Sequence, residues 1–221
     1  MMKNVIGLDL GQQSDYTALS VVQPVSTTTG MQYHVRHLER FKLGTPYDIQ
    51  VSRVVQVFQT LENPVLVVDQ TGVGRAVYDM FNRTGLNPIG ISIHGGDKVI
   101  QEGRTFRVPK RDLVAVLTTA FQGKNLKIAA GMPETETLVN ELINFKIKVN
   151  VRTAHETYEA WREGIHDDLV LSVALAVWYA RRLGRTGGIS ARTSIPLSGS
   201  WSEMGSGNEP AAWTHHRGTQ L

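Results

Sequence analysis

Acidic side chains stand at the ends of apolar segments that lie far apart in the sequence. Asp9 and Asp69 each follow a short apolar run, and the pair Asp167 and Asp168 precedes a long one. A carboxylate beside a buried segment costs free energy unless it is paired, hydrogen-bonded or bound to a cation. Because carboxylate oxygens are the ligands that hard divalent cations prefer, this set predicts a metal site.

The first of these acids lies in the sequence GLDLG at residues 7–11, where two glycines leave room for an ion or a phosphate to approach. Actin-like and sugar-kinase ATPases share this pattern in their nucleotide sites, and so do nucleases with a ribonuclease H-like fold. An aspartate that only caps the turn after a strand would look the same. The motif alone leaves these interpretations open.

The second acid begins the sequence DQTGVG at residues 69–74, between an apolar strand and a helix. A dinucleotide-binding fingerprint is disfavoured because Val77 replaces its third glycine, and a Walker loop is disfavoured because no Gly-Lys-Ser/Thr ending follows. A carboxylate at the carboxyl end of a central strand suits a metal site beside the first strand. A helix-capping role for Asp69 is the simpler alternative.

The third set is HDD at residues 166–168, where a long apolar run begins. The helix dipole and capping favour acids in a first helical turn, so Asp167 and Asp168 taken alone could be structural. A two-metal phosphodiester hydrolase needs several carboxylates from separate elements around ions roughly 4 Å apart, and the chain supplies such a set. His166 and His94 are candidates for proton carriers or phosphate contacts, although a solvated histidine is the commoner case.

The segments that must position these acids are strand-rich at the start of the chain and helix-rich later. The first three strands read as an antiparallel meander, with Pro24 and residues 26–30 in the turn between the second and third. Residues 94–109 have adjacent glycines and mixed charge, which indicates a long loop or hairpin. The predicted strands are 4–10, 17–23, 32–42, 65–68, 88–93 and 127–129, and the predicted helices are 49–58, 73–82, 110–121, 134–145 and 166–183.

This order of elements predicts an α/β fold with a mixed central sheet flanked by helices, in which parallel strands follow the antiparallel first three. We expect one domain over residues 1–184. From about Gly184 the composition shifts to Gly, Ser, Thr and Pro without a hydrophobic period, which predicts a flexible tail over residues 185–221.

The composition narrows the class of protein. The 221 residues are 41% hydrophobic and 19% charged, as in a globular protein, and the net charge of +3 permits a polyanionic partner without requiring one. The absence of cysteine excludes disulfides and thiolate metal sites and favours a hard cation. No apolar stretch reaches the roughly 18 residues of a membrane span, and no signal region precedes the first strand, so we expect a cytoplasmic protein.

Taken together, these segments resemble the nuclease domain of the large terminase subunit of tailed bacteriophages, which belongs to the ribonuclease H-like and resolvase-like superfamily. The resemblance covers about residues 4–183, and the His-Asp-Asp sequence before an apolar helix is its most specific part. The stretches that carry it are GLDLG at 7–11, VVDQTGVG at 67–74, VPKRDL at 108–113, and YEA at 158–160 leading to HDDLV at 166–170.

The resemblance implies that Asp9, Asp69, Asp167 and Asp168 are catalytic acids that bind two divalent cations, Mg²⁺ or Mn²⁺, with either residue of the pair as the main third ligand. It implies a metal-dependent endonuclease that cleaves double-stranded DNA by two-metal phosphodiester hydrolysis, as in phage genome packaging. A large terminase carries an ATPase motor ahead of its nuclease, and this chain begins just before the first catalytic strand, so we expect a nuclease module without the motor. The implied partners are double-stranded DNA, the ATPase motor, the small terminase subunit and the portal, in the bacterial host cytoplasm.

Basic residues in the segment after the fifth strand, and in the helix that follows it, are candidates for DNA contacts. They would bind phosphates with little sequence preference. Acidic neighbours dilute their charge, so an ordinary solvated face is the alternative. The candidates are Lys98, Arg104, Arg107, Lys110 and Arg111.

Three other functions fit part of the sequence. A Holliday junction resolvase-like nuclease would share the fold and the acids. An actin-like nucleotide-binding ATPase fragment would explain residues 7–11, although such proteins need a second lobe. A catalytically inactive module of a packaging machine would keep the carboxylates without turnover.

Overall fold

The structure is a computed structural model that describes residues 3–11, 15–72, 74–151 and 167–190. Its strands are β1 (Val5–Asp9), β2 (Ala18–Thr27), β3 (Gly30–Arg40), β4 (Val65–Asp69), β5 (Ile89–His94), β6 (Ile100–Glu102), β7 (Thr105–Pro109) and β8 (Leu126–Ile128). Its helices are α1 (Tyr47–Gln59), α2 (Gly74–Arg83), α3 (Lys110–Gln122), α4 (Thr135–Val151) and α5 (Asp168–Ser190).

The strands form one mixed sheet in the order β6-β7-β5-β4-β1-β2-β3-β8. β1, β2 and β3 pair antiparallel, whereas β1, β4, β5 and β7 run parallel to one another. β8 pairs parallel with β3, and β6 pairs antiparallel with β7. The predicted α/β class with an antiparallel start and later parallel strands is confirmed.

Helices cover both faces of the sheet, which explains why β1 and β4 are nearly continuous apolar runs. α3, α4 and α5 pack on one face, with buried residues that include Leu113, Leu138 and Val173. α1 and α2 pack on the other face, with buried residues that include Val54 and Phe81. The described part of the chain contains no helix that is long and apolar enough to span a membrane.

The β2–β3 turn is shorter than expected because Pro24 lies inside β2, opposite Tyr33, rather than in the turn. The amide of Tyr33 donates to the carbonyl of Asn125 on the far side of β3, so Pro24 and Tyr33 form a pair without mutual hydrogen bonds. On its other side β2 has no paired partner at Pro24, since β1 begins at Val5 opposite Val22. The missing proline N–H therefore costs no ladder hydrogen bond.

The later segments agree with the expected elements, with one hairpin and two longer helices. α4 extends to Val151 rather than to residue 145. Residues 94–109 contain the β6–β7 hairpin. α5 continues to Ser190, past the boundary expected at residue 184. The division into a domain over 1–184 and a tail over 185–221 stays a prediction, and residues 191–221 lie outside the described part.

Candidate metal centre

Asp9 and Asp69 end neighbouring strands at the same edge of the sheet. The parallel pairing of β1 with β4 places Leu8 opposite Val68, so each aspartate comes one residue after a paired position. Strands in such a pair lie roughly 4.8 Å apart. The two side chains are 9% and 7% exposed, which leaves little water around either carboxylate.

Alternation along the strands also places both carboxylates on the face that α5 covers. Ile6 and Leu8 belong to the core on the α1–α2 side, and so do Leu66 and Val68. Successive side chains of a strand point to opposite faces. Residues at the odd-numbered positions of both strands, which include Asp9, therefore face α5.

The first turn of α5 carries the other two predicted acids. Asp168 is buried and Asp167 is partly buried, and the Asp167 carbonyl accepts the first hydrogen bond of the helix, from Leu171 N at 2.9 Å. α5 lies directly against β1 because Gly7 has no side chain: a Cβ there would come within 1.9 Å of the Ser172 carbonyl oxygen. This close contact brings the helix start toward the strand end that carries Asp9.

The carboxyl group of Asp9 interacts electrostatically with acids on other elements of the fold, so these acids belong to one site. Burial raises the pKa of the Asp9 carboxyl well above its usual value, and the charges of Asp69, Asp168 and Asp167 raise it further. The charge of Asp15 acts in the same direction. The structure thus brings together all four predicted acids, and it adds Asp15, which the sequence interpretation did not single out.

These residues fit a divalent cation in chemistry, although they are not already arranged around one. Among the residues that the structure describes, no three His, Asp or Glu side chains converge on a single metal-binding point. The site nevertheless supplies carboxylate oxygens, which are hard donors, from β1, β4 and α5. The negative charges of these acids repel one another. A cation would offset that repulsion once side-chain rotations bring the donors to it.

The turn after Asp69 holds its carboxylate in place. Asp69 Oδ1 accepts a hydrogen bond from Thr71 N at 2.8 Å, and Thr71 Oγ1 accepts one from Ile93 N at 3.0 Å. The capping alternative is therefore partly realised, in the turn rather than on α2, which begins at Gly74. A fixed orientation is also what a metal ligand needs.

One acid that the sequence interpretation missed lies beside this group. Glu141 of α4 is 6% exposed, and its Oε2 accepts a hydrogen bond from Val170 N at 3.1 Å. Burial raises the pKa of Glu141 to about 7; the charges of Asp168 and Asp167 add to the rise, and the Val170 hydrogen bond and Arg40 oppose it. An acid between the buried residues Leu138 and Leu142 on an amphipathic helix was the signal that could have identified it.

Of the two candidate histidines, the structure describes His94, which does not join the acids. His94 ends β5 at the same edge of the sheet. Its Nδ1 accepts a hydrogen bond from Gly96 N at 2.9 Å, and its position alternates with Ile93, which packs in the core on the α5 side. Its side chain therefore leaves the sheet on the other face. His166 lies outside the described residues, as do residues 158–160.

The candidate DNA-contact residues divide between the two edges of the sheet. Lys98 follows the carboxyl end of β5, and Lys110 and Arg111 follow that of β7, so these three lie at the edge that carries the acids. Arg111 forms an ion pair with Asp97. Arg104 precedes β7 at the opposite edge, where its guanidinium donates to the carbonyls of Asn87 and Pro88. Arg107 is exposed within β7.

Comparison with known proteins gives one family and several relatives. The family described as the terminase RNase H-like domain matches residues 6–179. The terminase large subunits of Thermus phage G20c and Thermus virus P23-45 are each 26% identical over 182 residues, which is 82% of this chain and 32% of theirs. The chain therefore spans about a third of the length of these relatives.

Solved structures agree with the fold. The large terminase nuclease from thermophilic phage G20c with bound cobalt has a TM-score of 0.54 and 25% identity, covering 79% of this chain and 80% of that one. The same nuclease with bound magnesium has a TM-score of 0.54, 24% identity and the same coverage. The sheet order and the flanking helices described above are thus those of a ribonuclease H-like nuclease fold.

Proposed function

The chain belongs to the terminase RNase H-like domain family, and from that premise we propose that it is a divalent-metal-dependent endonuclease that cleaves double-stranded DNA by two-metal phosphodiester hydrolysis. The observation that carries the proposal is the shared electrostatic environment of Asp9, Asp69, Asp167 and Asp168, which come from β1, β4 and α5. Buried acids gathered at such a cost in free energy are expected where a cation offsets the cost.

These aspartates would hold two cations, Mg²⁺ or Mn²⁺, and the G20c nuclease with magnesium or cobalt bound supports a divalent ion. When bound, the ions would activate a water and neutralise charge on the scissile phosphate and the leaving oxygen. The chain itself contributes orientation: the Thr71 amide fixes Asp69, and the contact at Gly7 sets α5 against β1.

DNA would lie across the sheet edge formed by the carboxyl ends of β1, β4, β5 and β7. Lys98, Lys110 and Arg111 stand at this edge and would contact phosphates next to the acids. Arg107, on the exposed surface of the β6–β7 hairpin, would extend the contact. Arg104 would act on DNA only indirectly, by holding the start of β7 to the segment before β5.

The names of the relatives, which are terminase large subunits, support a role in genome packaging. In that setting the partners would be an ATPase motor, the small terminase subunit and the portal, in the cytoplasm of the bacterial host. The actin-like alternative loses its support because the family match covers most of the chain and includes residues 7–11.

Cleavage of supercoiled plasmid with Mg²⁺ or Mn²⁺ tests the proposal. Wild type should nick and linearise the plasmid, and Asp9→Asn and Asp69→Asn should each lose at least about a hundredfold in rate, since each removes a metal ligand. Asp48→Asn, at an exposed acid of α1, is the matched control and should cleave normally. Cleavage that persists in both site variants, or is absent from wild type with either ion, would contradict the proposal. A strong preference for four-way junctions would favour the resolvase-like alternative.

A further inference from the structure

The carboxylate of Glu141 ties α4 to the turn that carries two of the proposed metal ligands. We propose that Glu141 is a positioning residue: its hydrogen bond to Val170 N fixes the first turn of α5, and thereby holds Asp167 and Asp168 where they can bind the cations. This inference rests on the proposed function, and it assigns Glu141 no contact with metal or DNA.

The contact has the chemistry of a helix cap supplied by another helix. Val170 is the third residue of α5, and the first few N–H groups of a helix have no intrahelical acceptor. Glu141 Oε2 accepts this N–H at 3.1 Å in a buried location. Because the acceptor belongs to α4 rather than to the residues before α5, the bond fixes the start of α5 relative to the rest of the fold.

A second set of contacts holds Glu141 itself. Its Oε1 is buried and lies 3.9 Å from Nη1 of Arg40, at the end of β3. The Arg40 Nε lies 4.0 Å from Glu134 Oε2, and its guanidinium lies over the Tyr16 ring at 4.4 Å from the centroid. Glu141 therefore connects β3, α4 and α5 at the acid-bearing edge of the sheet.

The positioning role of Glu141 depends on the length of its side chain rather than on its charge. A glutamine at this position has the same length and an oxygen that can accept the Val170 N–H. An aspartate keeps the charge but is one methylene shorter, so it would leave the Val170 N–H without its acceptor. The two substitutions therefore separate positioning from direct metal binding, for which the charge would matter more than the reach.

The test is calorimetric Mn²⁺ binding to DNA-free protein, with wild type, Glu141→Gln, Glu141→Asp and Glu141→Ala. We expect Glu141→Gln to bind within about threefold of wild type, and the Asp and Ala variants to bind at least about tenfold more weakly, as for other residues that orient metal ligands. Leu142→Ala, the next residue and also buried, is the control for destabilisation of α4 and should keep wild-type affinity.

Three results would overturn the inference: wild-type affinity in both the Asp and Ala variants, weak binding by Glu141→Gln with normal binding by Glu141→Asp, or an equal loss in Leu142→Ala. If Glu141→Ala does not fold, the contrast between the Gln and Asp variants decides the question. Failure of wild type to bind Mn²⁺ would contradict the proposed function instead, so the two failures are distinguishable.

Discussion

Asp9 and Asp69 end two adjacent parallel strands, each one residue beyond the last pair between those strands, Leu8 with Val68. Both carboxylates are buried, and each ionised group raises the free energy of the other. The repulsion between these acids therefore lowers the stability of the metal-free protein. Unfolding experiments can measure this cost without an assay of cleavage.

The first prediction concerns Asp9→Asn in metal-free protein. Burial and the neighbouring acids raise the pKa of Asp9, so its ionised form destabilises the folded state near neutral pH. The isosteric amide removes that charge and should therefore raise the free energy of unfolding of the metal-free protein near neutral pH. Thermal unfolding in chelator measures this, with Asp48→Asn as the exposed control. A lower melting temperature for Asp9→Asn in chelator would contradict it.

The second prediction is a pH dependence that comes from Glu141. Its pKa is about 7 in the fold against the usual 4.5, so the folded state favours the protonated form. The associated stability is present below the unfolded pKa and is lost as the pH rises through the folded value. From about pH 4.5 to about pH 7 this group should remove up to about 3 kcal/mol from the metal-free protein.

The measurement for Glu141 is a difference between two proteins, because other groups also titrate in this range. Burial raises the pKa of Glu39, but its hydrogen bonds and ion pairs with Arg53 and His37 outweigh burial and lower that pKa overall, so Glu39 contributes with the opposite sign. Urea unfolding of wild type and Glu141→Gln in chelator should therefore diverge as the pH rises, with the variant becoming the more stable. Curves that stay parallel would show that Glu141 titrates normally.

Most of the fold follows from local patterns that the sequence displays. The apolar run before Asp69 predicted a central strand, and the order of elements predicted a sheet flanked by helices; β4 lies inside the sheet, and helices cover both faces. Pro24 could not be placed correctly because its position in β2 depends on where β1 begins, which is a property of strand pairing rather than of the local sequence. The continuation of α5 to Ser190 likewise contradicts the local preference of Gly187 and Gly188 against helix.

The site was only partly visible in the sequence for a similar reason. Asp9 and Asp69 could be singled out because a carboxylate at the end of an apolar strand costs free energy unless it is paired, hydrogen-bonded or bound to a cation. Glu141 sits inside a helix, and its partner Val170 lies 29 residues away in sequence. Only the packing of α4 against α5 brings the two together, so no spacing rule could have paired them.

The third prediction tests the contact that sets α5 against β1. In Gly7→Ala the new Cβ would lie 1.9 Å from the backbone oxygen of Ser172, and a backbone atom cannot rotate away. The strand and the helix must separate, which should cost about 2 kcal/mol or more and slow cleavage by shifting Asp9 away from Asp168. Denaturant unfolding measures the loss of stability. Gly95→Ala is the control, because nothing lies within 4 Å of a Cβ there, and it should change stability by no more than about 0.5 kcal/mol.

The fourth prediction concerns which edge of the sheet binds DNA. It compares the salt dependence of duplex binding for one variant at each edge. Lys98 is exposed beside the acid-bearing edge, whereas Arg104 lies at the opposite edge and donates to the carbonyls of Asn87 and Pro88. In an Asp9→Asn background that prevents cleavage, Lys98→Gln should weaken duplex binding and reduce the salt slope by about 1, since one phosphate contact is lost. Arg104→Gln should leave the slope unchanged and lower the melting temperature, because it removes hydrogen bonds within the protein.

Fluorescence anisotropy over a range of salt concentrations measures both slopes. Equal slopes for wild type and Lys98→Gln, with a reduced slope for Arg104→Gln, would place the DNA on the other edge of the sheet.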